Sequence, residues 1–118
     1  MKINHHDFRQ LILSLDQDEY YILVAVDAHG PKSMHSAISV YVVNGRVVSK
    51  RGKLYRVNSL VDEYGGKVLQ KSVFLLPCNV NAVKDVITTL GDIEKKYQGE
   101  VSVYIFPVKK EHVGDVNE

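Results

Sequence analysis

The sequence predicts an α+β fold, and three observations lead there. Runs of β-branched and aromatic residues alternate with stretches whose apolar residues recur every three or four positions. From residue 37 onward these segments fall in the order strand, helix, strand, strand, helix, strand. No internal repeat, charge block or low-complexity linker divides the chain. This order is the split βαβ (βαββαβ), ferredoxin-like arrangement, here preceded by a helix and a strand. The chain is therefore read as an N-terminal helix-and-strand extension (1–36), a ferredoxin-like core (37–108) and a polar C-terminal tail (109–118), the last expected to be mobile.

Each element has its own warrant. Asn4 offers an N-cap, and Phe8, Leu11, Ile12 and Leu15 follow at helical spacing with Asp7 in the first turn. Residues 20–27, YYILVAVD, are aromatic and β-branched and read as a strand buried on both faces. A Gly30-Pro31 loop follows. The β-rich stretches 37–43 and 46–49 flank Asn44-Gly45, a dipeptide that tolerates positive φ at both positions and so predicts a hairpin. From Lys53 the period changes: Val57, Leu60, Val61 and Tyr64 make a helical face that Gly65-Gly66 would end. Residues 67–76 form a second β region stopped by Pro77. Asn79 or Asn81 can cap the next helix, whose face is Val83, Val86, Ile87 and Leu90 and which Gly99 ends. The last strand is 101–106, before Pro107.

Composition narrows the function. With 118 residues, 45% hydrophobic and 25% charged, the chain suits one globular domain rather than a disordered or fibrous protein. Fifteen basic residues against fourteen acidic give +1, so nucleic-acid binding would have to rest on a local patch. The single Cys78 allows no internal disulfide, and it follows Pro77 with no base nearby, so it reads as a small buried residue. The longest apolar run, 20–26, is too short for a membrane helix, and the N-terminus lacks the apolar stretch of a signal peptide. A cytoplasmic protein without membrane partners is the expectation. His5 and His6 are adjacent, which in a helix points them about 100° apart and spoils chelation. His29 and His35 flank the Gly-Pro loop near Asp27 and read as exposed loop residues. No phosphate-cradling glycine motif or zinc pattern occurs.

The stretch 56–76, RVNSLVDEYGGKVLQKSVFLL, resembles a known family. In the CRISPR-associated adaptation protein Cas2 family, the first helix is joined to the second and third strands by a segment of the same form. A basic residue and valine (Arg56, Val57) precede a pair of aliphatics (Leu60, Val61), then Tyr64-Gly65, then Gln70-x-Ser72-Val73-Phe74. Residues 101–108, VSVYIFPV, are similar to the last core strand of that family. Its first strand ends in an aspartate that a symmetric dimer pairs across its axis. Two segments compete for that place: 20–27 ends in Asp27 but lies far upstream, whereas 39–44 is nearly at the right distance but ends in Asn44. The second is preferred, because a hairpin inserted between strand and helix would displace a whole βαβ crossover. On that reading residues 1–36 are an extension and the metal-binding aspartate is missing.

The resemblance implies a homodimer at the centre of a spacer-integration complex, clasped by a Cas1-type integrase and lying along duplex DNA. Such a role needs a basic surface that neutralises phosphates without reading bases. Arg46, Lys50, Arg51, Lys53 and Arg56, with Lys67 and Lys71 on the following strands, are the candidate backbone contacts. The alternative activity is Mg²⁺-dependent phosphodiester cleavage, with Asp27 as both metal ligand and catalytic carboxylate; an endoribonuclease of the virulence-associated toxin type would share the scaffold. A ferredoxin-like regulatory domain without nucleic-acid binding is the third reading.

Overall fold

The computed structural model describes residues 1–4 and 8–113, with the backbone alone at 8, 9 and 11. His5, His6, Asp7 and the end of the polar tail, 114–118, lie outside the described residues. Seven strands are present among them: β1 (Lys2–Ile3), β2 (Tyr20–His29), β3 (Arg46–Lys50), β4 (Lys53–Val57), β5 (Lys67–Gln70), β6 (Val73–Pro77) and β7 (Glu100–Lys109). The helices are α1 (Phe8–Ser14), α2 (Lys32–Ile38), α3 (Leu60–Glu63), α4 (Val80–Tyr97) and α5 (Lys110–Val113), and α2 runs on into a π-helical turn, Ser39–Asn44.

Five strands form one sheet in the order β1-β7-β2-β6-β5, and β3 and β4 pair only with each other. Within the sheet β7-β2-β6-β5 is the fourth-first-third-second order of the split βαβ unit, so the fold is ferredoxin-like. β1 adds a short parallel edge to β7. The Asn4 side chain extends that edge: its Nδ2 donates to Ile105 O at 2.8 Å, and its Oδ1 accepts from Ile105 N at 3.1 Å. Residues at period two on the central strands (Ile22, Val24, Val26; Val101, Val103, Ile105) are buried under the helices with Phe74 and Leu76. α4 lays Val83, Val86, Leu90 and Ile93 on them. Its N-cap is Asn79, whose Oδ1 accepts from Asn81 N at 2.8 Å and Ala82 N at 3.3 Å.

The structure corrects the order of the first elements. Residues 37–43, predicted as a strand, are helical, and residues 20–27, placed in an N-terminal extension, belong to the sheet's central strand, between β7 and β6. The cause is packing. Met34, Ala37 and Val42 are buried on the helical side, and the core they enter overrides the β propensity of the Val-rich run. Gly45 does take positive φ (76°), but with ψ near 180° it lets the chain leave the π-helical turn rather than make a hairpin.

The hairpin is displaced by seven residues. Its turn is Arg51-Gly52, φ 52° and 76°, a two-residue loop with both centres left-handed, and Lys50 pairs with Lys53 across it. Val57 therefore lies on a strand, and the helix predicted over 57–64 shrinks to the single turn α3, capped by Ser59 Oγ on Asp62 N at 3.1 Å. The 67–76 region resolves into β5 and β6, joined at Lys71-Ser72, with a bulge between Val68 and Gln70. β7 continues past Pro107, which is tolerated because β2 flanks it on one side and no described strand flanks it on the other. Of the predicted tail, Lys109 ends β7 and Lys110–Val113 form α5.

The insertion leaves the crossover intact. A side-chain carbon built on Gly45 would lie 2.8 Å from Val57 O and 3.2 Å from Ser59 N, so the two ends of the β3–β4 segment touch. The crossover from β2 to β5 thus runs through α2 and the π-helical turn, detours into the hairpin, and resumes in α3. This removes the objection to Asp27: the hairpin interrupts the crossover helix and displaces nothing.

Candidate nucleic-acid interface

The helices cover one face of the sheet, and the other face is open along β7, where Phe106 and Tyr104 lie, but closed at Leu75 on β6. Register places Phe106, Leu23 and Leu75 in one row across β7, β2 and β6, and Tyr104, Ala25 and Val73 in the next. Phe106 and Tyr104 are 47% and 44% exposed. The next row along β2 brings Asp27 opposite Ser102, so Asp27 ends the same apolar face. His29 Nε2 lies 3.2 Å from Asp27 Oδ1 and 3.3 Å from Oδ2, and both side chains are exposed.

Behind this corner a cavity of about 750 Å³ is lined by Asp27, His35, Ser36, Asn44, Lys71 and Ser72 over a floor that includes Phe74. Ser72, itself at positive φ, accepts the Val26 N–H at 2.8 Å, which ties the β5–β6 turn to the end of β2. The chain thus brings Asp27 and Lys71 to one cleft, with Asn44 at the root of the hairpin. Lys67 stands apart, on β5 opposite Leu75 and exposed at the sheet edge.

The other five basic candidates all lie on the hairpin, and the structure divides them. At the root, Arg56 donates to Asn44 O at 3.0 Å and sits 3.9 Å from Asp62, and the Arg46 guanidinium lies 4.9 Å from the centre of the Tyr41 ring. These two brace the hairpin. At the tip, Lys50, Arg51 and Lys53 are exposed and have no carboxylate partner among the described residues. Sequence reasoning missed Tyr41 and Asp62 as partners of this group, since neither contact follows from spacing.

Other groups carry less. Cys78 is buried, with Sγ 3.9 Å from Ile12 O, and burial pushes its thiol up, which disfavours the thiolate. Tyr64 donates its hydroxyl to Asp85, and that hydrogen bond raises the phenol above its ordinary range. Among the described residues no group of three His, Cys, Asp or Glu side chains is placed to hold a metal ion. One carboxylate, Asp27, is what a protomer offers at the corner. A second copy brought across the open face would supply another, and Mg²⁺ sites commonly use one or two carboxylates together with substrate phosphates. No helix among the described residues is long and apolar enough to cross a membrane.

A ferredoxin-like sheet with helices on one face, a partly exposed apolar opposite face and an aspartate at the end of its first core strand defines the class of scaffold. Comparison with known proteins narrows the class. Residues 37–116 match the family described as CRISPR associated protein Cas2, and the chain belongs to that family. No curated protein and no solved structure matches the chain. The match begins inside α2, so β2 and Asp27 precede the matched span, and it is the sheet order that places β2 as the first core strand. Membership gives the chain a CRISPR-associated, Cas2-like role in adaptation.

Proposed function

We propose that the chain acts as a homodimeric subunit of the CRISPR spacer-acquisition complex, binding the backbone of duplex DNA and bridging Cas1-type integrase subunits. The observation that carries this reading is the open sheet face. Of its two apolar rows, Phe106 and Tyr104 are largely exposed and Leu23, Ala25 and Val73 half-buried, whereas Leu75 is already buried, and stacking a second sheet on the β7–β2 side would bury the exposed part. Such stacking makes one continuous body with two copies of the cationic hairpin and of Lys67 and Lys71. Lysines and arginines displayed in two-fold symmetry fit a duplex, whose backbone is read by charge rather than by sequence.

Mg²⁺-dependent phosphodiester cleavage is the second reading, favoured by the position of Asp27. Its carboxylate is exposed at the margin of the open face, so a face-to-face pair would place two such groups near its rim. Bound Mg²⁺ would supply an activated water and charge stabilisation at the phosphate. Asp27 would hold it, with His29 adjacent to orient the carboxylate.

One experiment separates these readings. A short labelled duplex is titrated with the protein at two salt concentrations, with and without Mg²⁺, and retention and cleavage are followed on the same sample while light scattering gives the protein's mass. A dimer that retains duplex in a salt-sensitive way without cutting it supports the architectural role. Mg²⁺-dependent cleavage that disappears in Asp27→Ala supports the nuclease. A monomer, or a dimer that ignores duplex at micromolar protein, defeats both.

A further inference from the structure

We propose that the β3–β4 hairpin is a ribbon arm that enters the major groove of a nucleic-acid duplex. The inference rests on the DNA-binding reading above and adds how the duplex is engaged. Its first support is isolation. β3 and β4 pair only with each other, and an isolated two-stranded hairpin is marginally stable in water. Val47, Leu54 and Tyr55 are 59%, 76% and 48% exposed, so the arm shows large apolar groups to solvent on both faces.

Charge supplies the second support and selects the occupant. Residues 46–57 carry Arg46, Lys50, Arg51, Lys53 and Arg56 and no carboxylate, in a chain whose total is +1, so the rest of the molecule is net negative. At the tip Lys50 and Lys53 are direct cross-strand partners with Arg51 between them. Like charges in that relation destabilise a hairpin. The three tip cations therefore oppose the fold that displays them until a polyanion lies between or around them, whereas the two root arginines are braced by Asn44, Asp62 and Tyr41.

Shape supplies the third. Five paired residues per strand extend roughly 17 Å, and two strands are about 5 Å apart before side chains are added. A ribbon of that section is admitted by the major groove, about 12 Å wide, and not by the narrower minor groove. Once inside, Lys50, Arg51 and Lys53 reach phosphates on both walls, and Val47 and Leu54 meet base edges and thymine methyls instead of water. Because the two ends of the arm touch, at Gly45 and Val57–Ser59, the ribbon projects from the crossover without interrupting it.

The test compares two duplexes of the same sequence, one plain and one whose major groove is filled by glucosylated hydroxymethylcytosine. It uses the full chain, a variant in which residues 46–57 are removed and Gly45 is joined to Asn58, and the triple variant Lys50→Gln, Arg51→Asn, Lys53→Gln, which keeps a turn tolerant of positive φ. Thermal melting confirms that each is folded. The full chain is expected to bind the filled duplex roughly tenfold or more weakly than the plain one. Both variants should bind the plain duplex more weakly and no longer distinguish the two, and the triple variant's salt slope should fall by about 2.7. Equal binding of both duplexes by the full chain, or an unchanged salt slope in the triple variant, overturns the arm while leaving DNA binding standing. Failure of the full chain to bind the plain duplex overturns both. Undiminished binding by the variants with loss of integrase association assigns the arm to a protein partner and overturns this proposal.

Discussion

β6 and β4 are strands of equal length in the same small protein, yet they live in different worlds. In β6 Phe74, Leu75 and Leu76 are each 1% exposed or less; in β4 Leu54 and Tyr55 are 76% and 48% exposed. β6 has β2 on one edge, β5 on the other and a helix layer above, whereas β4 has β3 on one edge and nothing else. An apolar side chain is thus no guide to its own burial; what decides is whether the topology supplies neighbours on the remaining sides. The core is stabilised from within, whereas the hairpin leaves its large apolar side chains in water.

The comparison can be broken most severely in the core. Phe74→Ala should cost about 3–5 kcal/mol in chemical denaturation, from lost transfer energy plus a cavity under α4. A cost below about 1 kcal/mol would show that β6 is no better packed than the ribbon.

Gly99→Ala comes next, at about 1–3 kcal/mol. The added carbon would lie 2.0 Å from Met34 Sδ and 2.9 Å from His29 O, and the backbone oxygen cannot swing away. Wild-type melting behaviour in this variant would contradict the tight seam between the β2–α2 and α4–β7 loops.

Removing the α4 cap with Asn79→Ala should cost about 1 kcal/mol, measured by the same melts. Glu94 sharpens the picture by pH. Its carboxylate accepts from the N-terminal ammonium at 2.9 Å and from Val101 N at 2.7 Å, and these bonds hold it below its ordinary range. A carboxyl lowered by folding adds stability above its unfolded pKa and loses it as pH falls through the lower, folded one. The Tm gap between wild type and Glu94→Gln should therefore close on acidification below the ordinary carboxylate range; a gap independent of pH would remove the ion pair from the account.

The smallest effect belongs to the arm. Leu54→Ser should change stability by less than about 0.5 kcal/mol, because the side chain is already 76% exposed. A larger loss would mean that the ribbon is packed against the body.

Much of this architecture is legible in the sequence, and the failures have physical causes. The strand over 20–27, a cap at Asn79 or Asn81, of which the structure uses Asn79, and the last strand follow from period and capping chemistry, and the family is visible in Tyr64-Gly65 and the Gln70 to Phe74 pattern. The run 37–43 misleads because tertiary burial of Ala37 and Val42 outweighs local β preference. Asn44-Gly45 outshines Arg51-Gly52 as a turn signal, yet only the second pair has strands on both sides. With the hairpin misplaced, Asp27 is assigned to an extension, and its place beside the cleft with Lys71 emerges only when the sheet closes. The basic candidates are visible as residues, but their division into braced root and bare tip depends on Asn44, Asp62 and Tyr41, which no spacing rule connects to them.

Met34 gives the seam a chemical clock. Its sulfur is fully buried, and side-chain carbons built on Gly30 and Gly99 would stand 2.5 Å and 2.0 Å from it, so the two glycines make the room it fills. A sulfoxide oxygen would need space that those backbones do not leave, and it would bring a polar group into an apolar seam. Oxidation at Met34 therefore proceeds through opened molecules and then traps them open. The rate at which peroxide modifies this one residue, set against that of Met1, which is 38% exposed and reacts first, measures how often the two loops part.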